Sequence, residues 1–316
     1  MAEVSDNLWF QLYREYLLFS HERLHESDGV DLPERISEMP HHIIYLPLET
    51  HPEPAPEAAI RAALGFASGL GHGVHVSTFS VKIPPVASPL GGFLINIEGM
   101  ARAAEDQSAA DCKRLHNMVE QAAGPGLTVQ ITSHQIAMGG TMEAAVAEAR
   151  YFDLSVIPWS KDVISTHDLS QALIFGAGTP VILVPSSAKA GPLQHIAVAW
   201  DESRAAARAL GDALRLLSPG GRVSVLTVHD EKDLGRSELS QTLAAALSKR
   251  GYNAHAVDLT LGGKDIATVL QSAAVDQRAG LLAMGGFGHS RLRDFILGGA
   301  TKGVIANLRL PVLLSH

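Results

Sequence analysis

Several things are scarce in this sequence. Of its 316 residues one is cysteine, Cys112, which excludes an intramolecular disulfide and any zinc site built from several thiolates. No apolar run approaches the ~20 residues that a membrane span needs, although hydrophobic residues make up 46% of the chain and mean hydropathy is +0.12. Charged residues are only 18%, and bases are outnumbered by acids, 25 against 33, for a formal charge of −8. That balance argues against a protein that coats nucleic acid or anionic lipid. The opening MAEVSDNLWF carries acids where an export signal carries lysines. With the lone thiol, this makes the cytoplasm the expected location. What is plentiful is short Ala, Val, Ile and Leu runs, enough to pack about two domains of roughly 100–200 residues each.

These runs, bounded by Gly, Pro and Ser, alternate with segments of helical period, the pattern of βαβ units around a parallel sheet buried on both faces. The pattern occurs twice. HIIYLPL (42–48), VHVSTF (74–79), LTVQIT (127–132), LSVIP (154–158) and PVILVP (180–185) read as strands, and so do HIAVAW (195–200), RVSVLTV (222–228), NAHAVDL (253–259), LLAM (281–284) and PVLLS (311–315). After the first strand of the second set, Ala206, Leu210, Leu214 and Leu217 fall on one helical face. Glu49 and Asp201, each following a first strand, stand 152 residues apart, whereas Pro180 and Pro311 before the fifth strands stand 131 apart. The longer first half carries its excess at 83–125, which includes a long helix through Cys112 and His116. The expectation is α/β: two tandem open parallel five-stranded sheets flanked by helices, at 41–187 and 194–316. The fifth strands, 181–184 and 312–315, would pair across a pseudo-two-fold axis, a dimer reproduced within one chain, with further homodimerisation open.

Residues 1–40 belong to neither repeat. Leu8, Trp9, Leu12, Tyr13, Tyr16 and Leu17 recur at helical spacing, and five of the 17 aromatic residues lie from Trp9 to Phe19. A helix packed on a domain or across a dimer is the favoured reading. A membrane-surface anchor is the weaker one, because the polar face is not strongly basic.

The stretch richest in chemistry is GGFGHSRLRDFILGGAT, Gly285 to Thr301. It starts as the fourth strand of the second half ends and leads into the last helix. In open parallel sheets ligands bind beyond the carboxyl ends of the strands. Glycines there let bare N–H groups approach a ligand. Gly298 and Gly299 sit where the helix starts, so its free N–H groups and dipole favour an anion. The two glycine clusters would grip a polyphosphate, with His289, Arg291 and Arg293 adding donors or charge. The bland alternative is two turns flanking a short helix with no ligand.

The spacing Gly285-x2-Gly288-x9-Gly298 resembles the nucleotide-binding signature G-x2-G-x9-G-(S/T) of the universal stress proteins. VAWDES (198–203) is similar to that family's first strand and Asp-x-Ser turn, and LPVLLSH to its C-terminal end. Taken with the repeat, the chain resembles a tandem universal stress protein. The resemblance implies a stress-response role and, in some members, binding of ATP, with Mg2+ accompanying it. Residue by residue it places Asp201 against the adenosine moiety and Val228 where main-chain atoms meet adenine. Gly285, Gly288, His289, Gly298, Gly299, Ala300 and Thr301 fall on the ribose and phosphate loop. The family's closing Ser/Thr is Gly299 here, with Thr301 two residues on, which removes one hydroxyl ligand for phosphate or metal.

The first half departs further. Its fourth strand runs into PWSKDVISTHDLSQALIFGAGTPV, in which Gly176 and Gly178 are the only glycines, and Trp159 and Lys161 stand where a phosphate would lie. Glu49 replaces the aspartate. This half is expected to be structural or partner-facing.

Other motifs carry less. His21-Glu22-Arg23-Leu24-His25 fits H-E-x-x-H and would allow a zinc-dependent hydrolase, but it lies outside both repeats and has no evident third ligand. No G-x4-G-K-[ST] and no G-x-S-x-G occurs. Gly69-Leu70-Gly71-His72-Gly73 follows a helix, so it reads as a helix stop. No residue is assigned a catalytic or metal-binding role. His289 is the one general-base candidate near the loop, so any ATP hydrolysis is expected to be slow. The leading reading is a nucleotide-dependent binding or regulatory module. Its rival is an interaction scaffold of the same fold that has lost the nucleotide.

Overall fold

A computed structural model describes residues 42–71, 73–84, 96–124, 127–231, 237–286 and 299–316. The candidate helix in residues 1–40, with its HERLH segment, lies outside them, and so do Gly288, His289 and Gly298.

The apolar runs form ten strands. They are β1 (Ile43–Glu49), β2 (Gly73–Lys82), β3 (Thr128–Ala137), β4 (Leu154–Trp159), β5 (Val181–Pro185), β6 (His195–Ala199), β7 (Arg222–Val228), β8 (Asn253–Leu259), β9 (Leu281–Gly285) and β10 (Val312–Ser315). Between them lie α1 (Glu57–Ser68), α2 (Ile97–Ala122), α3 (Thr141–Ala149), α4 (Ile164–Gly176), α5 (Arg204–Leu216), α6 (Leu239–Lys249), α7 (Ile266–Asp276) and α8 (Gly299–Ala306).

The strand order is β3-β2-β1-β4-β5-β10-β9-β6-β7-β8, so each half has the order 3-2-1-4-5 in its own count. All neighbours are parallel except β5 and β10, which run antiparallel with Val312 opposite Leu183 and Leu313 opposite Ile182. The two expected sheets are therefore one sheet. Each fifth strand is short and fully buried, and left alone it would expose an unpaired apolar edge; pairing the two removes both edges.

Side chains alternate between two cores, as the period of two demands. Ile44, Leu46, Ile182, Ile196 and Leu313 face α1, α2, α5 and α6, while Tyr45, Val181, Leu183, Ala197 and Leu314 face α3, α4, α7 and α8. Strands β2 and β3 outrun their apolar segments, which predict 74–79 and 127–132. Hydroxyl pairs Ser77 with Thr132 and Thr78 with Ser133, each at 3.0 Å, join the two strands near the ends of those segments, and beyond them Ser80 Oγ donates to His134 O at 3.2 Å. The long helix α2 buries Cys112, and burial pushes its thiol up, which suits an inert residue.

Candidate functional site

Three strand ends and one helix start meet at the switch point of the second half, where the chain leaves β6 for β7 on one side and later returns to β9 on the other. At the end of β6 the chain turns through Asp201, Glu202 and Ser203. Asp201 Oδ1 accepts from Ser203 N at 3.0 Å, and Ser203 Oγ accepts from Ala206 N at 3.1 Å, capping α5. Glu202 between them has φ of 61°, a left-handed conformation uncommon outside glycine and costly enough to mark a shaped turn. Sequence reasoning did not single out Glu202, because strain in a non-glycine residue has no compositional signal.

Val228 ends β7 beside this turn. Trp200 N donates to Leu226 O at 2.8 Å, and Thr227 Oγ1 donates to Trp200 O at 3.0 Å, locking the two strand ends together. On the other flank β9 ends at Gly285. A Cβ there would lie 2.7 Å from Ala205 Cβ and 2.9 Å from the Ala205 carbonyl carbon, so only a bare backbone lets β9 reach the first turn of α5. Gly286 N donates to Ser315 O at 2.8 Å, fixing the exit from β9 against β10.

Helix α8 begins at Gly299, which is exposed, and a Cβ there would have no atom within 4 Å. Thr301 is turned inward at 2% exposure, and its hydroxyl points to Gly285 O at 3.5 Å. It ties the helix start to the strand end. Ala300 is half-buried beside it. Asp201, Val228, Gly285 and the first turn of α8 thus lie at the carboxyl ends of β6, β7 and β9.

The matching strand ends of the first half are built differently. Glu49 ends β1 opposite Phe79 on β2. Trp159 ends β4, is 5% exposed, and lies with its ring 4.3 Å from the His167 ring. Here a tryptophan and a histidine stand at the strand end, where β9 of the other half ends on a glycine.

The family model described as the universal stress protein family matches residues 192–316. A comparison with curated proteins gives no match. Among solved structures, a universal stress protein from Archaeoglobus fulgidus DSM 4304 aligns over 86% of this chain and 95% of its own, at 16% identity and a TM-score of 0.60. A putative universal stress protein from Pseudomonas aeruginosa UCBPP-PA14 covers 87% of this chain and 93% of its own at 15% identity and a TM-score of 0.47. A universal stress protein solved in complex with cAMP covers 39% of this chain and 97% of its own at 17% identity and a TM-score of 0.31. At such identities the likeness is one of fold, and the first of these alignments runs through both halves. The universal stress protein family match thus covers residues 192–316, and the same strand order is built a second time from 43 to 185.

Proposed function

We propose that the second half binds an adenine nucleotide, ATP being the first candidate, and that the protein acts as a nucleotide-dependent binding or regulatory module in a stress response. The observation that supports this most is the convergence of Asp201, Gly285 and the open first turn of α8 on one switch point. Asp201 and Val228 would meet the adenosine end. Gly285, Gly288, His289 and Gly298 would lie along ribose and phosphates, and Gly299 and Ala300 would offer backbone N–H groups at a helix start. Thr301 is turned inward, so its role in this reading is to hold α8 in place.

Mg2+ would arrive with the triphosphate and neutralise its charge. The described residues contain no cluster of three His, Cys, Asp or Glu side chains able to cage a metal, so the phosphates themselves would supply most of its ligands.

Isothermal titration with Mg-ATP and with cAMP tests the reading. Saturable binding by the wild type is expected, reduced about tenfold or more by Asp201→Ala, in line with ~1.4 kcal/mol per decade, and abolished by Gly288→Val. Gly299→Ser, at a position with room for the side chain, is expected to tighten binding by restoring a hydroxyl. A wild type silent to every adenine nucleotide would leave the scaffold reading in its place.

A further inference from the structure

The first half has a cleft of about 190 Å³ at the carboxyl ends of β1 and β2, lined by Glu49, Phe79, Val81, Met138, Met142 and Asp168 among others. Its chemistry differs from that of the second half. Among the described residues no lysine or arginine lines it; the titratable groups on it are Glu49 from β1, Asp168 from α4 and His51 from the turn after β1. Ile164 and Ser165, in the first turn of α4, also border the cleft, and Asp168, one turn further along the helix, brings a second carboxyl group to it. The Ser165 hydroxyl is already committed to Glu53 O at 3.3 Å. A phosphate would meet the repulsion of Glu49 and Asp168 here, although the Gly139 turn also borders the cleft.

The cleft also carries an unmet electrostatic demand. Glu49 Oε2 is buried and has no hydrogen-bond partner. Burial first, and then the negative charge of Asp168, pushes the Glu49 carboxyl up to about 8. A carboxylate in that position lacks the cation that would stabilise it. Apart from Thr141 and Ser165, the remaining side chains on its walls are apolar, and so are two at its mouth. Met138 is 52% exposed and Ile164 73% exposed, two of the six large hydrophobic side chains left exposed among the described residues. The described residues also form no three-ligand metal cluster, so an inorganic cation is a poor occupant.

We propose that this cleft binds a small organic amine, its ammonium group held by Glu49 and Asp168 and its apolar body seated against Phe79, Val81, Met138 and Met142. The volume sets the size. A dry cavity of ~150 Å³ accepts benzene, so this cleft suits a single ring with a short aminoalkyl arm. The first half then has a ligand of opposite charge to the one proposed for the second half, at the equivalent end of the same fold. It stands whether or not the second half takes a nucleotide.

Phenethylamine is the probe, titrated by calorimetry against the full chain, with the uncharged 2-phenylethanol as its control. Saturable amine binding is expected, at least tenfold tighter than that of the alcohol. Affinity should rise several-fold from pH 6.5 to 8.5 as Glu49 gives up its proton, with Asp168 and His51 the other titratable groups on the cleft. Glu49→Gln and Asp168→Asn should each lose tenfold or more. Met142→Trp, which fills the apolar side without touching charge, should lose binding while the thermal melt confirms a folded chain. Equal affinity for amine and alcohol, full affinity in Glu49→Gln, or no saturation by the amine would each overturn the proposal.

Discussion

Two buried carboxyl groups of the first half are displaced in opposite directions, and the contrast shows what a partner does for a buried charge. Glu148, 5% exposed on α3, accepts from Tyr45 Oη at 2.8 Å and has His75 Nε2 at 3.4 Å and His134 Nε2 at 3.6 Å. Burial alone would raise it; interactions with His134, His75 and Tyr45 outweigh burial and hold it at about 2. Glu49 has no such partners and stands at about 8. The signs follow from proton linkage. Glu148 binds fewer protons folded than unfolded, so its contribution is in full force above about 4.5 and fades as pH falls towards about 2. Glu49 binds more protons folded than unfolded, so it costs stability increasingly as pH rises from about 4.5 through about 8. Urea melts across pH should therefore separate two isosteric variants. Glu148→Gln is expected to be less stable than wild type by about 2–4 kcal/mol at pH 7, because it leaves a broken buried network, with the deficit shrinking in acid. Glu49→Gln is expected to gain on wild type steadily between pH 5 and pH 9. Parallel pH curves for wild type and Glu49→Gln would sink this account of Glu49.

At the scale of elements, the strands were legible because a doubly covered parallel sheet needs short continuous apolar runs, and VILVP, HIAVA and LLAMG are such runs. Helix α5 was legible from its apolar face, and the structure adds its Ser203 cap. The extra length of β2 and β3 was not, because hydroxyl pairing between strands depends on a register that no single segment displays. The amine cleft was hidden for the same reason. Glu49, Met138 and Asp168 are far apart in sequence and share a wall only once β1, the turn before α3 and the start of α4 are assembled. The glycines of the second half were visible as a motif, but their separate duties emerge only from packing. Gly285→Ala drives a Cβ to 2.7 Å from Ala205 Cβ with backbone close behind, whereas Gly299→Ala enters open space. The same substitution should thus cost about 1–3 kcal/mol at position 285 through overpacking between β9 and α5. At position 299 it should be neutral or mildly favourable, since alanine outranks glycine in helices by ~1 kcal/mol. Denaturant midpoints of the two variants check this, and equal losses would show that the first turn of α8 is more crowded than its neighbours indicate.

For the whole molecule, the antiparallel pairing of β5 with β10 decides how the two halves respond to stress on the fold. Both cores run through the junction: Ile182 and Val184 share one with Ile196, Val198 and Leu313, and Val181 and Leu183 share the other with Ala197, Val312 and Leu314. The segment between the halves is seated as well. A Cβ on Gly69, at the end of α1, would fall 1.9 Å from Gly191 O, and Ser218 N donates to Leu193 O at 2.9 Å. Opening one half would strip the apolar surface of the other, so the energetics favour loss of both together over a half-folded intermediate. Trp159 at the end of β4 and Trp200 just past β6 give each half its own reporter. With Trp9 replaced by Phe, the variants Trp159→Phe and Trp200→Phe should show fluorescence transitions in urea that share their slope and, once each variant's own stability change is corrected by circular dichroism, their midpoint. Two resolved transitions would mean that the β5–β10 ladder joins independent domains, and a ligand bound in one half would then leave the stability of the other unchanged. A single transition means that a nucleotide or an amine bound at either end of the sheet stabilises the whole chain.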